Sequence, residues 1–225
     1  KKYFTVSIIV PCLNESRTIK KVLKNISNFK LHELNKEIII VDGGSNDGSQ
    51  KIIKKFKNTK FYQLQNAGRG ECFKYGIKKS KGDLLVFFPS DNEYFTKDIE
   101  TLINPIIYNK AKVVFGSRMI KWVNLNKEIS LIYKNNYLGY LISKYGGLLI
   151  SILKLMLFNR FISDPFTTLK AYDSDAIKSL NLESTGVDLE IEIFTKLSRK
   201  KIYIMEVPVD YNPRSKKQGK KTTLS

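Results

Sequence analysis

Two carboxylates, Asp91 and Glu93, follow the apolar run Leu84-Leu85-Val86-Phe87-Phe88, in the segment Pro89-Ser90-Asp91-Asn92-Glu93. Five consecutive apolar residues ending at a proline read as a buried strand, and Pro89 cannot continue its ladder, so the chain turns there. A strand end that delivers carboxylates at i and i+2 into a loop suits a hard divalent cation. Such a cation takes oxygen ligands and commonly holds a diphosphate in turn. The same five residues also read as a solvated acidic turn. Two further polar clusters follow apolar runs in the same way. Val6-Ser7-Ile8-Ile9-Val10 ends at Pro11, with Asn14 and Glu15 beyond it. Glu37-Ile38-Ile39-Ile40-Val41 ends in Asp42-Gly43-Gly44-Ser45-Asn46-Asp47-Gly48-Ser49.

These clusters need elements to hold them. From Asn14 to about Ser27 a helical pattern places Ile19, Val22, Leu23 and Ile26 on one face. A lysine-rich helix is expected after Ser49, a weaker strand over residues 60–65, and a helix near residues 67–80 entered through Asn66-Ala67-Gly68-Arg69-Gly70. Near-continuous apolar strands alternating with helices predict an α/β layer with a mostly parallel sheet. Ligands of such sheets sit at the carboxyl ends of the strands, where all three polar clusters fall. Further on come a strand at 112–115, an apolar and basic helical region at 129–162, and a turn at Ser163-Asp164-Pro165 leading to Leu169-Lys170-Ala171-Tyr172. A helix near 188–198, a strand at 202–207 and a basic tail complete the chain. Glu190 and Glu192 read as a solvated helix face, with a catalytic or structural acid as the alternative.

Composition narrows the chemistry. The 225 residues, 42% of them hydrophobic, support one sizeable core, and one domain over 1–225 is expected. Lys+Arg is 39 against Asp+Glu 21, a net charge of +18 that attracts polyanions such as phosphorylated substrates, anionic headgroups or nucleic acid. With His32 the single histidine, a Ser-His-Asp triad is not expected and a His-rich zinc site is excluded. Cys12 and Cys72 have no metal or redox spacing and read as buried thiols of a reducing compartment. No signal peptide is recognisable, and the longest apolar stretch, residues 137–158, is broken by Lys144, Gly146-Gly147 and Lys154. Acid–base and metal work therefore fall to carboxylates.

Taken in order, Val10-Pro11 with Asn14-Glu15, Val41-Asp42-Gly43-Gly44-Ser45 with Asp47-Gly48-Ser49, Gly82-Asp83 before a strand, and the acidic loop resemble the inverting family 2 glycosyltransferases of GT-A fold. Gly116-Ser117-Arg118, Asp164-Pro165-Phe166-Thr167, and Glu206-Val207-Pro208 with Tyr211, Pro213-Arg214 and Gly219-Lys220-Lys221 look like the dolichyl-phosphate mannose synthase and polyprenyl-phosphate glycosyltransferase branch. The resemblance implies a nucleotide-sugar-binding half over 1–115 and an acceptor-binding half over 116–225. Pro11, Asn14, Glu15, Asp42, Gly43, Gly68, Arg69, Ser90 and Asp91 would contact the donor. Asp42 would accept from the base, although a cap on its own glycine turn is the competing reading. Asp91 and Glu93 would bind Mg²⁺ or Mn²⁺ with the diphosphate. The loop departs from the family pattern, because Pro89 stands at the first Asp of the usual Asp-x-Asp. Arg118, Arg214 and Lys220 would face phosphate groups. Asp164 would lie near the acceptor or cap a helix.

The implied reaction moves a sugar from a GDP- or UDP-sugar to a polyprenyl phosphate with inversion. Asp91, Asp164, Arg118 and Arg214 would carry it. A phosphate acceptor is already anionic and needs positioning and charge screening rather than a strong base. A hydroxyl acceptor on a glycan or protein would need a base such as Asp164. A basic nucleic-acid-binding protein is the reading from another class, but the chain has no nucleic-acid motif, and no nucleic-acid partner is expected. The interrupted apolar stretch suits a membrane interface, with ordinary core-facing helices as the competing reading, and a cytoplasmic, peripherally membrane-associated protein is expected.

Overall fold

The computed structural model describes residue 3 and residues 5–120, 137–186 and 188–214. Seven strands lie in one sheet: β1 (Thr5–Cys12), β2 (Asn35–Asp42), β3 (Lys60–Gln63), β4 (Leu84–Phe87), β5 (Val113–Ser117), β6 (Lys170–Asp173) and β7 (Ile204–Pro208). Their order across the sheet is β3-β2-β1-β4-β6-β5-β7. Pairing is parallel throughout except at β6, which runs antiparallel between β4 and β5. The helices are α1 (Ile19–Asn28), α2 (Ser49–Ile53), α3 (Arg69–Lys79), α4 (Asp98–Ile107), α5 (Tyr137–Phe158), α6 (Ser174–Lys178) and α7 (Leu189–Arg199).

The apolar runs are continuous because both faces of the sheet are covered. Alternate residues of β1 serve opposite cores. Val6, Ile8 and Val10 pack with Leu23 and Ile26 of α1 and with Leu102 and Ile106 of α4. Ile9 faces the other way, toward Phe73 and Ile77 of α3 and Phe194 of α7. The rings of Phe73 and Phe87 stack with centroids 4.1 Å apart, which fastens α3 to β4 beneath the acidic loop.

Some elements differ from the sequence reading. The first helix begins at Ile19 rather than near Asn14, because residues 14–16 bond into the β2 loop instead. The lysine-rich helix after Gly48 has only five residues. The sequence reading assigns no element to the stretch that forms α4, which carries Pro105 within it. Its periodic Ile99, Leu102, Ile103 and Ile106 are nevertheless all buried. The segment after Asp164 supplies strand β6. Residues 121–136 and the basic tail beyond Arg214, with Lys220, lie outside the described residues.

Candidate active site

Strands β1, β2 and β4 are hydrogen-bonded neighbours or next neighbours, so their carboxyl ends share one rim. The three polar loops are stitched together there. Asn14 sits in the left-handed region at φ 52°, which Asn tolerates. Its N–H donates to Ser45 Oγ at 2.7 Å, and its side-chain oxygen accepts from the Asn46 N–H at 2.9 Å. The Glu15 N–H donates to Ser49 Oγ at 2.9 Å. Thr18 Oγ joins the acidic loop by donating to the Ser90 carbonyl at 2.9 Å.

Asp42 is fully buried and closes its own glycine turn. Its Oδ2 accepts from the N–H groups of Gly44 (3.1 Å) and Ser45 (2.9 Å) and from Gln50 Nε2 (3.0 Å). Gly43 must be glycine, because an added Cβ would stand 2.3 Å from the Ala67 carbonyl oxygen.

Between these loops lies a cavity of about 310 Å³. Pro11, Glu15, Arg69, Ser90, Asp91, Glu93 and Arg214 line it, so seven of the candidate site residues meet in one space. Asn14, Asp42, Gly43 and Gly68 do not line it and shape the loops around it. Tyr211 and Arg214 enter from the far end of the chain. Both cysteines also line the cavity, and burial followed by the charge of Asp42 pushes each thiol up to about 12. They are therefore thiols and not nucleophiles near neutral pH.

The carboxylates differ in what they touch. Glu93 was expected on a cation, but both of its oxygens hold the C-terminal segment. Oε1 accepts from the Arg214 N–H at 2.9 Å and Nε at 3.3 Å, and Oε2 accepts from the Tyr211 hydroxyl. Asp91 accepts from the Glu93 N–H at 3.1 Å and lies 4.0 Å from Arg214 Nη2. Burial and the neighbouring Glu93 push the Asp91 carboxyl up to about 6. Among the described residues no three Asp, Glu, Cys or His groups converge tightly enough to hold a metal by themselves. The set fits a cation that takes one carboxylate, Asp91, and completes its shell with diphosphate oxygens and water, as Mg²⁺ and Mn²⁺ do at phosphate sites.

Residues 7–165 match the family described as glycosyl transferase family 2. The chain belongs to that family. The glycosyltransferase is 30% identical over 91% of its length to a Methanococcus voltae UDP-N-acetylglucosamine–dolichyl-phosphate N-acetylglucosaminyltransferase, 84% of which is covered. It is 27% identical over 96% of its length to a Pyrococcus furiosus dolichol-phosphate mannosyltransferase, 58% of which is covered. Its sheet and helices have the GT-A fold. They superpose on a glucosyl-3-phosphoglycerate synthase from Mycobacterium tuberculosis, crystallised with Mn²⁺, UDP and phosphoglyceric acid, at a TM-score of 0.68 and 18% identity over 96% of this chain and 73% of that one.

Beyond the cavity, the glycosyltransferase buries a second set of charges. Asp164, 1% exposed, begins no helix, so the capping alternative does not hold. It grips Arg118 instead: Nε donates to Oδ2 at 2.6 Å, Nη2 to Oδ1 at 2.7 Å, and the Arg118 N–H to Oδ2 at 3.1 Å. The guanidinium then stacks over the Tyr211 ring at 4.9 Å. Arg118 and Arg214 thus both meet the Tyr211 segment, each with a carboxylate partner. Arg69, at the cavity edge, lies 3.9 Å from Glu190 Oε1.

Three residues of this set were missed from sequence. Glu190 is buried rather than on a solvated face, and its Oε2 accepts from the buried Lys170. Lys154, 6% exposed, lies 4.2 Å over the Phe194 ring, and burial followed by Lys170 pulls its ammonium down to about 8. The available signal was a lysine or glutamate at a core-facing step of an otherwise apolar pattern.

Proposed function

We propose that this glycosyltransferase moves a sugar from a UDP- or GDP-sugar to a polyprenyl phosphate, with inversion at the anomeric carbon and a divalent cation on the donor diphosphate. The observation that carries the acceptor reading is the outer face of α5. Leu148, Leu149, Leu153, Met156 (76% exposed) and Leu157 (72% exposed) point outward from it, and Phe161 follows them. Ser151 Oγ, on the buried side of the same helix, donates to the Ile162 carbonyl at 2.6 Å, which ties α5 to the turn that carries Asp164, the partner of Arg118. An isoprenoid chain would have an apolar surface beside a guanidinium suited to its phosphate. The named functions of the Methanococcus and Pyrococcus relatives agree with this. Among the described residues no helix is long and apolar enough to cross a membrane.

The chemistry asked of the chain is modest. A phosphate acceptor attacks as an anion, so no residue has to remove its proton. Glu15, Ser90 and the Asn14–Ser45 contact order the donor loops, while Asp91 would hold the cation that screens the leaving diphosphate. Arg118 would orient the acceptor phosphate. A hydroxyl acceptor would require a base, and Asp164 commits both oxygens to Arg118. This is why the phosphate acceptor is preferred.

The test is transfer to a short polyprenyl phosphate from a panel of UDP- and GDP-sugars with Mn²⁺, against a chelated control. A chelator-sensitive lipid-linked product from one donor is expected. Donor turnover with no lipid product would overturn the acceptor assignment.

A further inference from the structure

Arg214 stands where the sequence reading expects a cation. Three carboxylates from two loops surround its guanidinium. Nη1 lies 2.9 Å from Glu15 Oε2, Nε 3.3 Å from Glu93 Oε1, and Nη2 4.0 Å from Asp91 Oδ2. The side chain is only 13% exposed. The backbone that carries it is fastened to the same loop. The Asn212 N–H donates to the Glu93 carbonyl at 2.8 Å, the Arg214 N–H donates to Glu93 Oε1, and Tyr94 bridges Tyr211. Glu93 is thus the anchor of a strap, and Arg214 is the charge the strap delivers.

Three carboxylates facing one partly dry cavity repel one another, and a counter-charge is needed to keep them ionised. A guanidinium meets this need, because its planar fork serves several oxygens at once. It also stands against any second cation. A unit charge 3–4 Å from the same oxygens opposes a dication strongly at the effective dielectric of a protein rim. A nucleoside diphosphate changes the balance, since it brings negative oxygens that can take over the guanidinium and complete the shell of a cation on Asp91.

We propose that Arg214 is a built-in counter-ion that neutralises Glu15, Asp91 and Glu93 and opposes a free divalent cation at Asp91, so that the site accepts metal only together with a nucleoside diphosphate. This rests on the reading of the cavity as the donor site. The two ligands are then coupled. Each strengthens the other by the same factor, because binding linkage is reciprocal. A donor-free enzyme would neither hold a metal nor leave its carboxylates bare.

The experiment is a titration of the chain with Mn²⁺, read from the paramagnetic resonance signal of the free ion, with and without UDP or GDP. Wild type should bind Mn²⁺ weakly alone and about tenfold or more tightly with the matching diphosphate. Arg214→Gln should tighten Mn²⁺ binding in the absence of nucleotide by on the order of tenfold. Arg214→Lys, which keeps a charge, should not. Adding Asp91→Asn to Arg214→Gln should abolish the gain. The proposal is overturned if Arg214→Gln binds Mn²⁺ no more tightly than wild type, or if nucleotide leaves wild-type Mn²⁺ affinity unchanged while itself binding. If Arg214→Gln tightens Mn²⁺ but no nucleotide binds either protein, the counter-ion role stands and the donor-site reading fails. Should Arg214→Gln not fold, Arg214→Met, which also removes the charge, carries the same comparison.

Discussion

Replacing Asp164 by Asn removes the anion from a pair that is almost wholly buried, with Asp164 1% and Arg118 18% exposed at the side chain. Asp164 now receives three hydrogen bonds from Arg118, at 2.6, 2.7 and 3.1 Å. An amide offers one acceptor oxygen, and it turns an N–H toward the guanidinium where the second oxygen stood. The loss is that of breaking a buried pair from one side, about 3 kcal/mol. For a chain of this size that lowers Tm by about 6–12 °C. Thermal melts followed by circular dichroism measure this directly, and calorimetric titration with UDP and GDP measures the donor side. Nucleotide binding should persist, because neither Asp164 nor Arg118 lines the cavity. Transfer to a polyprenyl phosphate should fall sharply. The double replacement Arg118→Met with Asp164→Leu separates the two effects. With no charge left unpaired it should recover at least half of the lost Tm, yet transfer should stay low. A melt of Asp164→Asn within about 2 °C of wild type would refute the energetic argument. Full transfer activity in the double variant would refute the acceptor role of Arg118.

Three further outcomes follow from other parts of the molecule. Asp91→Asn should abolish chelator-sensitive nucleotide-sugar binding in calorimetry while leaving the fold intact; unchanged Mn²⁺-dependent binding would remove Asp91 from the cation. Met156→Glu with Leu157→Glu should weaken co-sedimentation with anionic lipid vesicles by on the order of tenfold without touching UDP or GDP binding, and equal sedimentation would place the membrane contact elsewhere. Lys154→Met should be more stable than wild type at pH 7 by roughly 2 kcal/mol, since the folded chain binds the Lys154 proton less tightly than the unfolded chain. With the folded value at about 8 and the ordinary value at 10.5, that advantage should hold below pH 8 and vanish as pH rises to 10.5. Melts of the two proteins that stay parallel across that range would show that Lys154 is not held this way.

The sequence by itself determined the first strands of the sheet and the rim where they end. Continuous apolar runs in β1, β2 and β4 report strands covered on both faces. The proline, glycine and carboxylate residues that end those runs report where the sheet opens to a ligand. These are local signals, written within a dozen residues of each other. What only the tertiary structure decided is which charges neutralise which. Arg118 and Asp164 are 46 residues apart, Lys170 and Glu190 are 20, and Arg214 and Glu15 are 199. Nothing in composition or periodicity couples residues across such distances. The same holds for β6, whose antiparallel place between β4 and β5 comes from pairing partners and not from its own four residues. Burial settled the rest. The partners that Glu93 and Glu190 found in the interior, Arg214 with Tyr211 and Lys170, turned acidic residues that read as a metal ligand and a wet helix face into the anchors of a strap and a buried ion pair.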